Sequence, residues 1–109
     1  MPYDLRLAER LEKLLKGRRG FEQKKMFGGI GWMLNGNMCV GIYRTWLITR
    51  VGESAGSRIL KEKYAKPMDI TGKPMKGWVM IDPKGVESDA DLSRHADLAT
   101  EFVTTLPHK

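Results

Sequence analysis

Residues 26–52 read MFGGIGWMLNGNMCVGIYRTWLITRVG, and this stretch decides the fold class. Short runs rich in β-branched, aromatic and methionine residues alternate with glycine turns, the pattern of strands joined by hairpins. Strands are expected over 30–34, 38–43 and 46–51, with another over 24–27 leading in. Asn35-Gly36 is the firmest turn, because a two-residue type I′ hairpin needs positive φ at both positions and this pair tolerates it best. Arg44-Thr45 is a second expected turn. Consecutive short strands with tight turns must run antiparallel, since a parallel crossover takes about a dozen residues. A doubly wound sheet is thereby excluded. In the third strand, strict alternation sends Met38, Val40 and Ile42 to one face and Cys39, Gly41 and Tyr43 to the other. Neither face is polar, so part of the second face is expected to be covered.

Upstream, Leu5, Ala8, Leu11 and Leu15, with Leu7 and Leu14 alongside, recur at three- and four-residue steps and predict a helix over 4–16. Asp4 can cap its amino end, and Gly17 suits the left-handed residue that ends it. Downstream, a helix is expected over 54–64 with Ala55, Ile59 and Leu60 inward and Ser54 as its cap. Residues 66–76, broken by Pro67, Gly72 and Pro74, are expected as a loop, and 77–81 as a last strand ending before Asp82-Pro83. Ser88 and Asp91 have the spacing of a capping box, and Leu92, Ala96, Ala99, Phe102, Val103 and Leu106 follow as an apolar helix stripe. The expected fold class is therefore α+β: two layers, an antiparallel β-sheet with helices packed on it, in the order α-β-β-β-β-α-β-α.

The 109 residues suit one domain spanning 1–109 with one core. The sole cysteine, Cys39, cannot form an internal disulfide, as is typical of a reducing cytosol, and a cytoplasmic location is expected. No window approaches the ~20 apolar residues that cross a bilayer, and no leader pattern opens the chain, so no membrane partner is expected. The net charge of +6 is unevenly placed: residues 1–76 hold 16 Lys/Arg against 7 Asp/Glu, and residues 77–109 hold 3 against 6. Any polyanion is expected to meet the basic part.

Gly52-Glu53-Ser54-Ala55-Gly56 fits the G-x-S-x-G nucleophile elbow and lies between a predicted strand and helix. An α/β hydrolase presents that turn on a parallel sheet behind an oxyanion loop, and this meander offers neither. Gly28-Gly29-Ile30-Gly31 lacks the Lys-Ser/Thr of a P-loop and is expected as a bulge or turn. His95, one turn after Asp91, is expected as a partly buried structural histidine. His108 lies in the tail and Cys39 in mid-strand as core, so no Cys/His cluster has metal spacing. The expectation is a noncatalytic protein with no catalytic residues, no metal and no cofactor.

Arg6, Arg10 and Lys13 follow one face of the first helix and lead to Arg18, Arg19, Lys24 and Lys25. Arg6, Arg10, Arg18, Arg19 and Lys25 are the candidate phosphate-contacting residues of a sequence-tolerant nucleic-acid surface, the alternative function. Against it stands ordinary solvation of a charged helix face interspersed with Glu9, Glu12 and Glu22. Trp32, Tyr43 and Trp46, set among methionines, are the candidate residues of a protein interface, with a homodimer through the sheet's second face as the preferred use.

The run Lys24-Lys25-Met26-Phe27-Gly28-Gly29, with Gly31, the Asn35-Gly36 hairpin, Met38 and the strand from Trp46, resembles the TfoX N-terminal domain family over about residues 5–106. The resemblance implies a two-layer α+β fold similar to type III secretion chaperones. It also implies a role connected with the TfoX/Sxy regulators, which promote competence genes in bacteria, and a protein partner in transcription. Those regulators carry a C-terminal domain, and the expectation here is a standalone N-terminal domain without it. The resemblance brings no catalytic residues.

Overall fold

The computed structural model describes residues 3–26, 28–70 and 72–109. Phe27, expected in the first strand and in the family motif, lies outside them, as does Thr71 of the expected loop. Among the described residues the elements run α1 (Leu5–Leu15), β1 (Phe21–Met26), β2 (Gly29–Leu34), β3 (Asn37–Tyr43), β4 (Trp46–Arg50), α2 (Gly52–Ile59), β5 (Ala65–Pro67), β6 (Trp78–Ile81), a 3₁₀ turn (Pro83–Val86) and α3 (Asp89–Val103). The strands form one antiparallel sheet in the order β1-β2-β3-β4-β6-β5. This is the expected α+β arrangement with two additions. Strand β5 lies in the stretch expected as a loop, and the 3₁₀ turn follows Asp82, whose carboxylate accepts from Lys84 N at 2.9 Å. Pro67 is tolerated in β5 because the strand is the sheet's edge, where one side of the ladder needs no donor.

Helix α1 starts because the Asp4 carboxylate accepts from the backbone N–H groups of Arg6 and Leu7 at 3.0 and 3.2 Å. It ends at Gly17, whose φ of +81° a side chain would resist. Its buried stripe is Leu7, Ala8, Leu11 and Leu15. Leu5, expected on that stripe, is 44% exposed, because the helix turns its first residue away from the sheet. Helix α3 has Ser88 as cap: its hydroxyl accepts from Asp91 N and donates to the Asp91 carboxylate, both at 3.1 Å. Leu92, Ala96, Ala99 and Val103 form its buried stripe.

Helix α2 corrects two expectations. It begins at Gly52 rather than Ser54, with Val51 in the cap position and no side-chain cap bond. It also stops at Ile59, which leaves Leu60 outside the buried face at 38% exposure. The earlier start depends on a tertiary contact: Gly77 O accepts from both Val51 N and Gly52 N, at 2.8 and 3.0 Å, and bends the chain into the helix.

In the β2–β3 hairpin, Asn35 and Gly36 both have positive φ, 53° and 86°, as a type I′ turn requires. The C-terminal tail closes over this turn: Lys109 N donates to Asn35 O, and Asn37 Nδ2 to Pro107 O, both at 2.9 Å. The β3–β4 connection is Arg44-Thr45, with φ +58° at Arg44, whose carbonyl accepts from Asp4 N at 2.8 Å.

A β-bulge overturns the strict alternation expected of β3. Met33 pairs with Met38 while the neighbouring Trp32 pairs with Val40, so Cys39 is the extra residue on β3. The slip moves Met38 to the face of Gly41 and Tyr43, and places Cys39 with Val40 and Ile42. The latter face packs α1, α2 and α3 through a core that includes Leu11, Trp32, Val40, Leu47, Ile81 and Ala96. The other face carries a second cluster of Met38, Ile48, Met68 and Met80, flanked by Ile70, Met75 and Trp78. The segment after β5 thus folds over part of the second face, the cover expected from its apolar residues. No helix among the described residues is long and apolar enough to cross a membrane.

Candidate functional site

Cross-strand pairs define the outer sheet face as a row from Lys24 through Gly31, Gly41, Ile48 and Met80 to Lys66. Its middle is a glycine floor. A Cβ on Gly41 would lie 2.8 Å from Met38 Cε and 3.0 Å from Ile30 O, so the methionine side chain lies over the glycine backbone. Around the floor stand the partly buried Met33, Tyr43, Trp46 and Trp78. Three of these neighbours are capped by cations: Arg44 over Tyr43 at 5.3 Å, Lys66 over Trp46 at 4.7 Å and Arg50 over Trp78 at 5.2 Å. A ring face holding a guanidinium or ammonium is partly taken up, and each cation keeps its charge near an apolar patch.

The floor continues into the Gly28-Gly29 pair. Gly28 turns at φ +71°, and Gly29 opens β2 so close to β3 that a Cβ would strike the Ile42 carbonyl oxygen. Lys24 and Lys25 precede it on β1, exposed on opposite faces of the edge strand. The model of the TfoX N-terminal domain family matches residues 13–103, most of the chain and all of this strand block. The chain belongs to the TfoX N-terminal domain family. No match emerged among curated proteins or among solved structures.

The TfoX N-terminal domain disperses the residues singled out for nucleic acid. Arg10 reaches across to α3, donating to Val86 O at 2.8 Å and Glu87 O at 3.2 Å and pairing with Asp89 at 3.2 Å. Arg18 pairs with Asp97 at 3.0 Å. The basic first helix and the acidic last helix therefore meet within one chain. Arg6, Arg19 and Lys25 are exposed. Among the interface candidates Tyr43 and Trp46 flank the outer floor, but Trp32 does not. It is 2% exposed on the helix side, and its Nε1 donates to Glu12 at 3.0 Å. The physical reason is register: Trp32 pairs with Val40, and both face α1 and α3.

The two nucleophilic side chains Ser54 and Cys39 both hold structural positions. Ser54 lies inside α2, with the Arg58 guanidinium donating to its hydroxyl at 3.4 Å. Cys39 is fully buried, and burial pushes its thiol up to about 11, outweighing the opposing pull of Thr100 and of the Arg18 and Arg50 charges. A thiol so placed is inert core.

The polar cluster that the sequence left unassembled is Glu62, Arg94 and His95. Arg94 holds the Glu62 carboxylate with two bonds of 2.9 and 3.1 Å, and its Nε lies 3.9 Å from Asp91. His95 is 1% exposed, with Nε2 3.2 Å from Arg94 Nη2 and 3.9 Å from Glu62. Arg94 only donates, so Nε2 accepts and the proton sits on Nδ1, a buried atom without a partner among the described residues. Burial and the Arg94 charge hold the imidazole below its ordinary value of 6.5, outweighing the pull of Glu62 and Asp91. Glu62, close to Arg94, is likewise held low. Lys63, Tyr64 and Lys84 line the same cavity.

The sign follows from proton counting. Below 6.5 the unfolded imidazole binds a proton that the folded one refuses, so stability is full above that value and falls as pH drops toward the folded value. Melting temperature is therefore expected to fall between about pH 7 and about pH 5, before most carboxylates titrate. In His95→Gln that part of the slope is expected to flatten, as followed by thermal circular dichroism. An unchanged slope would remove His95 as its source.

Proposed function

We propose that this domain is a noncatalytic interaction module that self-associates through the outer face of its sheet and serves as an accessory to bacterial transcription in the cytoplasm. The observation that supports self-association is the belt of Met33, Tyr43 and Trp46 around the floor of Gly31 and Gly41. A sheet with helices on one side ordinarily turns polar residues outward on the other. Here the outward types are those enriched at protein interfaces, and methionine adapts to a facing surface. A second copy would bury the same patch on both subunits about a two-fold axis. Membership in the TfoX N-terminal domain family, whose domain the competence-promoting TfoX regulators carry, supports the transcriptional part. Because Arg10 and Arg18 are held by the chain's own Asp89 and Asp97, the expected contact is the apolar belt and not an exchange of basic and acidic helices between subunits.

Sedimentation equilibrium at micromolar concentration is expected to give twice the chain mass of 12.4 kDa. Trp46→Ala is expected to weaken association by about 2 kcal/mol, roughly thirtyfold, with circular dichroism unchanged. A monomeric mass across the micromolar range would overturn the proposal. Anisotropy of a labelled duplex at low salt tests the nucleic-acid alternative: binding lost when Arg18 and Arg19 become alanine would favour it instead.

A further inference from the structure

Strand β1 is one edge of the sheet, and among the described residues no strand lies beyond it. One bond fixes which of its backbone groups are free. Asn35 N donates to Gly20 O at 3.0 Å, so the Gly20 carbonyl points toward β2. Backbone groups alternate in direction along a strand, so Glu22 and Lys24 also direct theirs to β2, opposite Met33 and Gly31. The N–H and C=O groups of Phe21, Gln23 and Lys25 therefore point outward from the sheet. Glu22, Gln23, Lys24 and Lys25 are all exposed. At the opposite edge, β5 is three residues ending in Pro67, which has no N–H to donate. β1 is six residues without proline, and it is the edge with a usable ladder.

The side chains of β1 select what can pair with it. Free backbone groups alone would accept any extended strand, and lysines on an edge ordinarily deter one. A second copy of β1 turns those lysines into partners. Two copies joined antiparallel in one sheet are related by a two-fold axis perpendicular to it, so one residue faces its own copy and the residues flanking it face each other crosswise. With the axis at Gln23, Glu22 of each copy stands opposite Lys24 of the other, and Phe21 opposite Lys25. The outward groups of Gln23, Phe21 and Lys25 then exchange N–H···O bonds. The Glu22–Lys24 pairs fall at the non-bonded positions, where Cα atoms approach to about 4.5 Å and opposite charges stabilise the pair. Both side chains lie on the outer face, as their β2 partners Met33 and Gly31 require. The neighbouring registers fail. An axis at Glu22, Lys24 or Lys25 sets like charges directly opposite, and one at Phe21 pairs only the amino-terminal end of the strand.

We infer that β1 pairs with β1 of a second copy of this chain, antiparallel about Gln23, joining two sheets into one. Lys24 of the family motif thereby gains a partner in Glu22 of the other copy. The contact does not rest on the outer-face contact: the perpendicular axis leaves both outer faces on one side of the joined sheet, still open. A single edge strand buries little area, so this contact forms above the micromolar range in which the faces meet. The test mixes equal amounts of Glu22→Cys and Lys24→Cys, each made in Trp46→Ala to weaken the face contact, under mild oxidation. Like cysteines would lie two residues out of register, beyond disulfide reach, so the mixed disulfide is expected to exceed either like disulfide at least about tenfold, against roughly twofold for random collision. Without cysteines, Glu22→Lys or Lys24→Glu alone is expected to weaken edge association seen by sedimentation at least about fivefold, and the double reversal to restore it. A random mixture of disulfides, a preference for a like pair, or a double reversal as weak as the single ones would each overturn the inference. So would a monomeric mass for Trp46→Ala at the highest soluble concentration.

Discussion

Gly29→Ala is expected to cost this domain about 3 kcal/mol or more, while its neighbour Gly28→Ala costs about 1–2 kcal/mol. The two glycines of the family motif are needed for different reasons. Gly28 turns at φ +71° with open space around it, a Cβ meeting nothing within 4 Å among the described residues, so alanine there suffers only the left-handed backbone penalty. At Gly29 the difficulty is space. A methyl group would strike the Ile42 carbonyl oxygen and lie 3.2 Å from Ile42 C and 3.5 Å from Tyr43 Cα. Those are backbone atoms of β3, which cannot swing aside like the end of a side chain. The hairpin must open at this end, and the pairing of Ile30 with Ile42, both buried in the core, opens with it. Urea denaturation of the two variants measures the contrast. Gly28→Asn supplies a control, because asparagine tolerates the left-handed region and is expected to recover part of the Gly28→Ala loss. Should Gly29→Ala prove as mild as Gly28→Ala, the close approach of β2 to β3 would be wrong.

The same hairpin marks the boundary between what was legible in the sequence and what was not. Helix periodicity placed α1 and α3, and Asn35-Gly36 placed the β2–β3 turn, because each is decided by residues close together in the chain. The bulge at Cys39 is decided across strands, by Met33 and Trp32 facing Met38 and Val40, and alternation along β3 alone could not locate it. That single slip exchanged the faces of Met38 and Cys39, and with them the composition of the outer surface. Strand β5 escaped for a related reason. Three residues ending in proline carry no strand pattern, and they are held by pairing with β6 and by Met68, buried on the outer face just beyond. The basic stripe of the first helix was legible, but its neutralisation was not: Arg10 and Asp89, like Arg18 and Asp97, lie 79 positions apart. Local pattern gave the elements and the family motif, and non-local contact distributed charge and exposure over them.

Trp32 shows what that distribution means for an experiment. Trp32→Ala is expected to cost about 3–5 kcal/mol, since a large buried ring is removed and the surrounding core closes only in part. In a domain of this size the melting temperature is expected to fall by roughly 12–25 °C. The side chain sits in the sheet-to-helix core with Leu11 and Val40, and its indole N–H joins β2 to α1 through Glu12. Trp32→Phe separates the two contributions. The phenyl ring keeps most of the apolar burial and loses the bond to Glu12, a loss of about 1–2 kcal/mol. Glu12 is exposed, so water takes over its carboxylate in that variant. The comparison with Trp46→Ala then decides where each tryptophan works. Trp46 lies on the outer face with Lys66 over its ring, so its removal is expected to weaken self-association with little effect on folding. Trp32→Ala is expected to do the reverse, lowering the melting temperature of the monomer at every concentration. If instead Trp32→Ala melted within a few degrees of the parent and changed only the sedimenting mass, the indole would belong to an intersubunit contact, and the packing of α1 against β2 would have to be abandoned.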